Sequence, residues 1–167
     1  MEFGKKRIFL VDMLAGDHGH LLNDDLVLSR CLFPLASRFC LASSSASIVN
    51  VHNILGVNVK NIGTFRPSGY LRRLRLIWLA ITLNCSGFDH IFLQSFEEIS
   101  ALLFMFLRPA KKVHLVVTNN LRPDRLDRHP FLGSWVLRSL IKRATSLIVH
   151  SKYEKELILK LSPKTKS

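Results

Sequence analysis

The chemistry-bearing residues of this chain gather just after short apolar runs. Ile8-Phe-Leu-Val-Asp12 leads into Met-Leu-Ala-Gly-Asp-His-Gly-His20, where Gly16 and Gly19 allow a close backbone approach. The helix that follows offers free N–H groups to an anion or a sugar hydroxyl, and His18 and His20 stand where a base would be needed. The same residues also suit a tight turn with solvated histidines. Later runs end at Gln94-Ser95-Phe96, at Thr118-Asn119-Asn120 and at His150-Ser151. Asn119 and Asn120 could hydrogen-bond a polyol or simply make a turn. Ser95, His150 and Ser151 are further candidates for substrate contact.

Several chemistries are excluded by pattern. There is no G-x-G-x-x-G, and the run Phe39–Ala42 leads into serines instead of a ribose-binding acidic residue, so NAD and FAD are not expected. No Walker A sequence and no G-x-S-x-G nucleophile elbow occur. The histidines are not at zinc spacing, so neither a metal nor any other cofactor is expected. Cys31, Cys40 and Cys85 form no C-x-x-C pair, and each lies in an apolar segment, which predicts three buried free thiols in a reducing compartment.

The elements that must position these residues follow from changes of hydrophobic period. Strand-length runs at Ile8–Asp12, Phe39–Ala42, Val57–Ile62, His90–Leu93, Val113–Thr118 and Ser146–His150 alternate with helical patterns. Helix starts are marked by Ser43–Ser47, Pro67-Ser68, Ser95, Pro130 and Ser151. Regular βα alternation with continuously apolar strands predicts an α/β, Rossmann-like parallel sheet with helices on both faces. In such folds ligands bind beyond the carboxyl ends of the strands. That edge holds all the candidate segments named above. Residues 1–161 are expected to form this one domain, with 162–167 a polar tail or a severed interdomain linker.

Composition bounds the rest. In 167 residues, 24 Lys+Arg against 12 Asp+Glu leave a net charge of +12, and 48% hydrophobic residues argue for a folded core. No secretory core follows Lys5-Lys-Arg7, so a cytoplasmic location is expected. Leu76–Leu83 and Ile99–Leu107 are too short to span a bilayer. The stretch from Tyr70 to Ile81 combines Arg72, Arg73 and Arg75 with Trp78 and apolar residues, a pattern for peripheral contact with an anionic membrane or for a core helix with solvated arginines. No RNP, helix-turn-helix or zinc pattern supports nucleic acid as a partner.

The ordered segments Arg7-Ile-Phe-Leu-Val-Asp12 with its glycine loop and His20-Leu-Leu-Asn, Val113-His-Leu-Val-Val-Thr-Asn119 and Arg143-Ala-Thr-Ser-Leu-Ile-Val-His-Ser-Lys-Tyr-Glu-Lys-Glu-Leu157 together resemble the N-terminal, acceptor-side domain of a GT-B glycosyltransferase of the family 4 type. The resemblance implies an acceptor-binding half. It would act with a donor-binding C-terminal domain or subunit, meet the nucleotide-sugar only in the complete enzyme, and take a glycan or lipid-linked acceptor. The family's pair of glutamates separated by seven residues is absent, since Glu97, Glu98, Glu154 and Glu156 are followed eight positions on by Met105, Phe106, Ser162 and Lys164. Asn119 and Asn120 stand where the family often has a histidine, leaving Asp17, His18 and His20 as the acceptor-side bases by location. The competing class is a basic, non-enzymatic Rossmann-like module that binds a nucleotide, a nucleic acid or a partner chain.

Overall fold

The computed structural model describes residues 6–13, 19–44, 48–62, 69–117 and 130–161. Along the chain run β1 (Lys6–Asp12), α1 (Gly19–Leu32), a 3-10 turn (Phe33–Leu35), β2 (Ala36–Ser43), α2 (Ile48–Leu55), β3 (Asn58–Asn61), α3 (Gly69–Thr82), β4 (His90–Gln94), α4 (Glu98–Leu107), β5 (Lys112–Val117), α5 (Pro130–Arg143), β6 (Ser146–Val149) and α6 (Lys152–Leu161). The six strands form one parallel sheet in the order β3-β2-β1-β4-β5-β6. This is the expected doubly wound arrangement, with the strand order reversing between β1 and β4.

Alternation along each strand divides the core in two. Phe9, Val11, Ile91, Leu93, Val113 and Leu115 face α3, α4 and α5, which bury Leu79, Ala80, Phe104, Met105, Leu140 and Ile141 against them. On the other face, Ile8, Leu10, Phe39, Leu41, Phe92 and Val116 meet Leu32 of α1 and Val51 of α2. At about 25 cal/mol per Å² of apolar surface removed from water, these two clusters dominate folding. β2 begins three residues before its apolar run because the parallel ladder pairs Arg38 with Arg7 through backbone alone.

Local chemistry closes the elements. α2 ends at Gly56, whose φ of 66° supplies a left-handed cap that a side chain would resist. The end of α3 is closed from outside: Arg108, beyond α4, donates to the carbonyl oxygens of Ala80, Ile81 and Leu83 at 2.6, 3.1 and 2.7 Å. Its guanidinium also lies 4.5 Å from the centre of the Phe104 ring. Helix α4 starts at Glu97, whose carboxylate accepts from the Ser100 N–H at 2.8 Å, two residues after the Ser95 start signal.

The thiols correct one expectation. Cys85 is buried and Cys40 half-buried, its thiol pushed up by burial, but Cys31 is exposed. On α1 the inward stripe is Asp25, Ser29 and Leu32, while Val27, Arg30 and Cys31 face outward. The apolar neighbours that suggested burial, Phe33 and Leu35, are themselves exposed.

Candidate functional site

The strand order reverses between β1 and β4, and beyond the carboxyl ends of these strands is the crevice position where folds of this type bind ligands. Register places Asp12 beside Ser43 of β2 on one side and Gln94 of β4 on the other. The three side chains therefore form one polar row on the face that carries α1. Helix α1 adds Asp25 and Ser29, one turn apart on its inward stripe. All five residues are at most 1% exposed.

Burying carboxyl groups this deeply shifts their acidity. Burial pushes Asp25 up to about 7, hydrogen bonds with Ser43 and Asp12 pull it back, and the charge of Asp24 adds a further upward push. A carboxyl group that titrates at about 7 is protonated about half of the time at neutral pH, and its hydrogen bond with Asp12 is part of what sets that balance. A group that titrates close to 7 suits proton transfer to or from a bound hydroxyl.

Beside the acids lie polar atoms to which no described residue hydrogen-bonds. Gln94 Oε1 and Nε2, Ser95 Oγ and Ser29 Oγ are buried and have no hydrogen-bond partner among the described residues. Each such group costs about 1–3 kcal/mol when it stays unsatisfied. Ser95 also has a φ of 46°, in the left-handed region that a serine rarely occupies. Backbone strain of this kind collects at functional positions. Donors, acceptors, a near-neutral acid pair and a strained serine thus share one edge.

The residues expected from sequence fall in several places. Gly16, Asp17, His18, Asn119 and Asn120 lie outside the described residues, as do 162–167, and the His20 side chain is likewise outside them. Gly19 and His20 open α1. Ser95 is buried at the crevice. Ser151 is the cap of α6: its hydroxyl accepts from Glu154 N–H at 3.1 Å, and the Glu154 carboxylate accepts from His150 N–H at 3.0 Å. Arg72 and Trp78 are exposed on α3, Arg73 lies 3.5 Å from Glu97, and Arg75 donates to the Ile62 carbonyl at 3.0 Å. Sequence reasoning did not single out Asp12, Asp25 and Gln94 as site residues. Their signal was present, since each is polar at a position where the strand or helix period demands an apolar side chain.

A second polar group stands toward the amino end of the same sheet face. His90 Nδ1 lies 2.9 Å from His114 Nε2, and His114 Nδ1 lies 2.7 Å from Ser146 Oγ. The His114 ring stacks on Phe92 with centroids 4.5 Å apart. Burial, then the neighbouring His90 and Lys112, lowers His114 to about 4, and His90 is lowered by burial, Lys112 and Lys6. Both rings are neutral at pH 7. Among the described residues no group of three metal-ligating side chains occurs.

No protein-family model matches the sequence, and no curated protein sequence matches it. Solved structures do share its fold. HepE from Anabaena, solved with UDP and glucose, superposes with a TM-score of 0.60 at 14% identity, over 94% of this chain and 41% of that one. A protein from Listeria monocytogenes described as a putative UDP-N-acetylglucosamine 2-epimerase superposes with a TM-score of 0.58 at 15% identity, over 94% of this chain and 42% of that one. The chain thus spans about two fifths of the length of these neighbours. At such identity the likeness is one of fold: the chain has the architecture of one Rossmann-like half of a GT-B structure.

Proposed function

We propose that this chain is the acceptor-binding half of a family 4-like GT-B glycosyltransferase, which moves a sugar from a nucleotide-sugar to a glycan or lipid-linked acceptor. One observation carries the reading: Gln94 and Ser95 hold buried side-chain donors and acceptors that have no partner among the described residues, at the edge where this fold binds ligands. A sugar hydroxyl both donates and accepts, and so do an amide and a serine hydroxyl taken together. The Asp12–Asp25 pair adds a carboxyl group that titrates near neutrality, matched to taking a proton from an attacking hydroxyl. Asp17, His18 and His20 of the following segment, with Asn119 and Asn120, are the further residues proposed to surround the acceptor. The diphosphate leaving group requires positive charge or helix N-termini from a donor-binding domain or subunit.

The test is a binding screen of the chain against oligosaccharides and lipid-linked glycans, repeated with Gln94→Ala and Ser95→Ala. Binding of a glycan that weakens about tenfold or more in each variant is the expected result, since a lost hydrogen bond from a buried site costs on the order of 1.4 kcal/mol. Binding of nucleotides or nucleic acid with no glycan bound would sink the reading in favour of a basic binding module.

A further inference from the structure

Helix α3 is apolar on two opposite sides. Leu76, Leu79, Ala80 and Leu83 bury one side against the sheet. Tyr70, Leu71, Leu74, Trp78 and Ile81 are 52–86% exposed on the other. At about 100° per residue these five fall within about 100° of arc, and the buried set is centred about 180° away. A helix covered by the sheet alone would show solvent a polar face, so this stripe lacks a cover among the described residues.

The stripe continues across the layer. Helices α3, α4 and α5 pack side by side on one sheet face, so their outward sides form one surface. Phe106 and Leu107 of α4 and Trp135 of α5 are exposed there too. On α5, Trp135, Arg138 and Lys142 point outward at i, i+3 and i+7. The Arg143 guanidinium reaches back to lie 3.8 Å from the centre of the Phe106 ring. Helices α3 and α5 carry Arg72, Arg73, Arg75, Arg138, Lys142 and Arg143 and not one acidic residue; α4 carries only Glu98.

We infer that this layer docks, with α3 lying flat, on an anionic lipid bilayer surface. Exposed aromatic and aliphatic side chains suit the acyl boundary, and flanking arginines suit the headgroups. No helix of the described residues is long and apolar enough to cross a membrane, and the attachment inferred for this layer is to the surface. Helix α3 begins at the carboxyl edge of the sheet, so docking leaves that edge open at the side of the bound domain, with the α1 face turned away from the bilayer. A domain that completes the crevice would sit across that edge, not on the outward side of this layer. The inference stands independently of the glycosyl-transfer reading.

The experiment uses the whole chain with vesicles of phosphatidylcholine alone or mixed in equal parts with phosphatidylglycerol. Trp78 and Trp135 are the only two tryptophans, and both lie on the layer, so Trp135→Phe leaves Trp78 as the single reporter. The expected result is sedimentation with the anionic vesicles only, weakened by salt, with a blue-shifted Trp78 emission that brominated lipid quenches. Removing the Trp78 and Leu74 side chains together (Trp78→Ala with Leu74→Ala) lowers partitioning about tenfold or more. Tyr153→Ala, which removes an equally exposed ring on α6, leaves it unchanged. Failure to sediment, or sedimentation without quenching of Trp78, overturns the inference. So does a concentration-dependent dimer that shields Trp78 while vesicles are ignored, which would assign the stripe to a second copy.

Discussion

At the carboxyl end of one sheet face, Gln94 and Ser95 are buried with nothing bonded to their side-chain polar atoms among the described residues. At the amino end of the same face, His90, His114 and Ser146 lie within hydrogen-bond distance of one another in series. Both ends place polar groups where the strand pattern would accept Leu or Val. The amino-end groups bond one another, whereas at the carboxyl end Asp12, Ser43 and Asp25 do so but Gln94 and Ser95 find no partner among the described residues. Unmet hydrogen-bonding capacity is a cost in stability, so under the proposed function Gln94 and Ser95 serve recognition at the carboxyl end while the amino-end groups serve packing.

The largest expected effect separates the two ends by pH. Asp25 titrates near 7 in the folded chain against 3.8 as a free side chain, so folding takes up a proton. Its contribution is fully present below about 3.8 and is lost as pH rises through 7. Asp25→Asn should therefore stabilise the chain at pH 8 on the order of 3 kcal/mol and change little at pH 4. Calorimetric melting at both values reads this, and an unaltered pH dependence would break the contrast at its acidic end.

Gln94→Leu comes next. It replaces two polar atoms that have no partner among the described residues by apolar ones and should raise stability by about 1 kcal/mol, while glycan binding falls at least about tenfold. Lost stability together with intact binding would place Gln94 among the packing residues. His114 has the opposite sign to Asp25: at about 4 folded against 6.5 ordinarily, its contribution is present above pH 6.5 and is lost as pH falls through 4. His114→Gln should remove that acid sensitivity. With the ring partly screened by solvent the effect is on the order of 1 kcal/mol, read by denaturant titration at pH 4.5 and 7.

The smallest effect lies on the surface at the amino end. There Arg7 Nε and Nη2 donate to both carboxylate oxygens of Asp89, at 2.9 and 2.6 Å, and hold it down at about 2. Arg7→Ala should return Asp89 to the ordinary carboxylate range in an NMR titration and barely move the melting temperature.

The sheet was legible in the sequence because its period is local. Runs such as Ile8–Asp12 and Val113–Thr118 announce buried strands, and the βα rhythm dictates a parallel sheet with a ligand edge. Ser95 was legible for the same reason, being the residue that follows an apolar run. The Asp12–Asp25 pair was not, because it depends on how α1 packs against the end of β1, a contact that no local period encodes. The His90–His114 pair was hidden by 24 intervening residues: only strand register brings it together. Cys31 misled because neighbours in sequence are not neighbours in burial.

The clamp of Arg108 on the end of α3 also acts as a ruler. Helices commonly end on a glycine of their own, which leaves their length to local sequence. Here α3 stops where a guanidinium 25–28 residues further along can reach three carbonyl oxygens at once. The intervening chain, through β4 and α4, is thereby held to a fixed span. A residue inserted into the 83–89 turn would drag α3 out of step with its clamp, so natural length variation should be tolerated elsewhere on this chain and refused there.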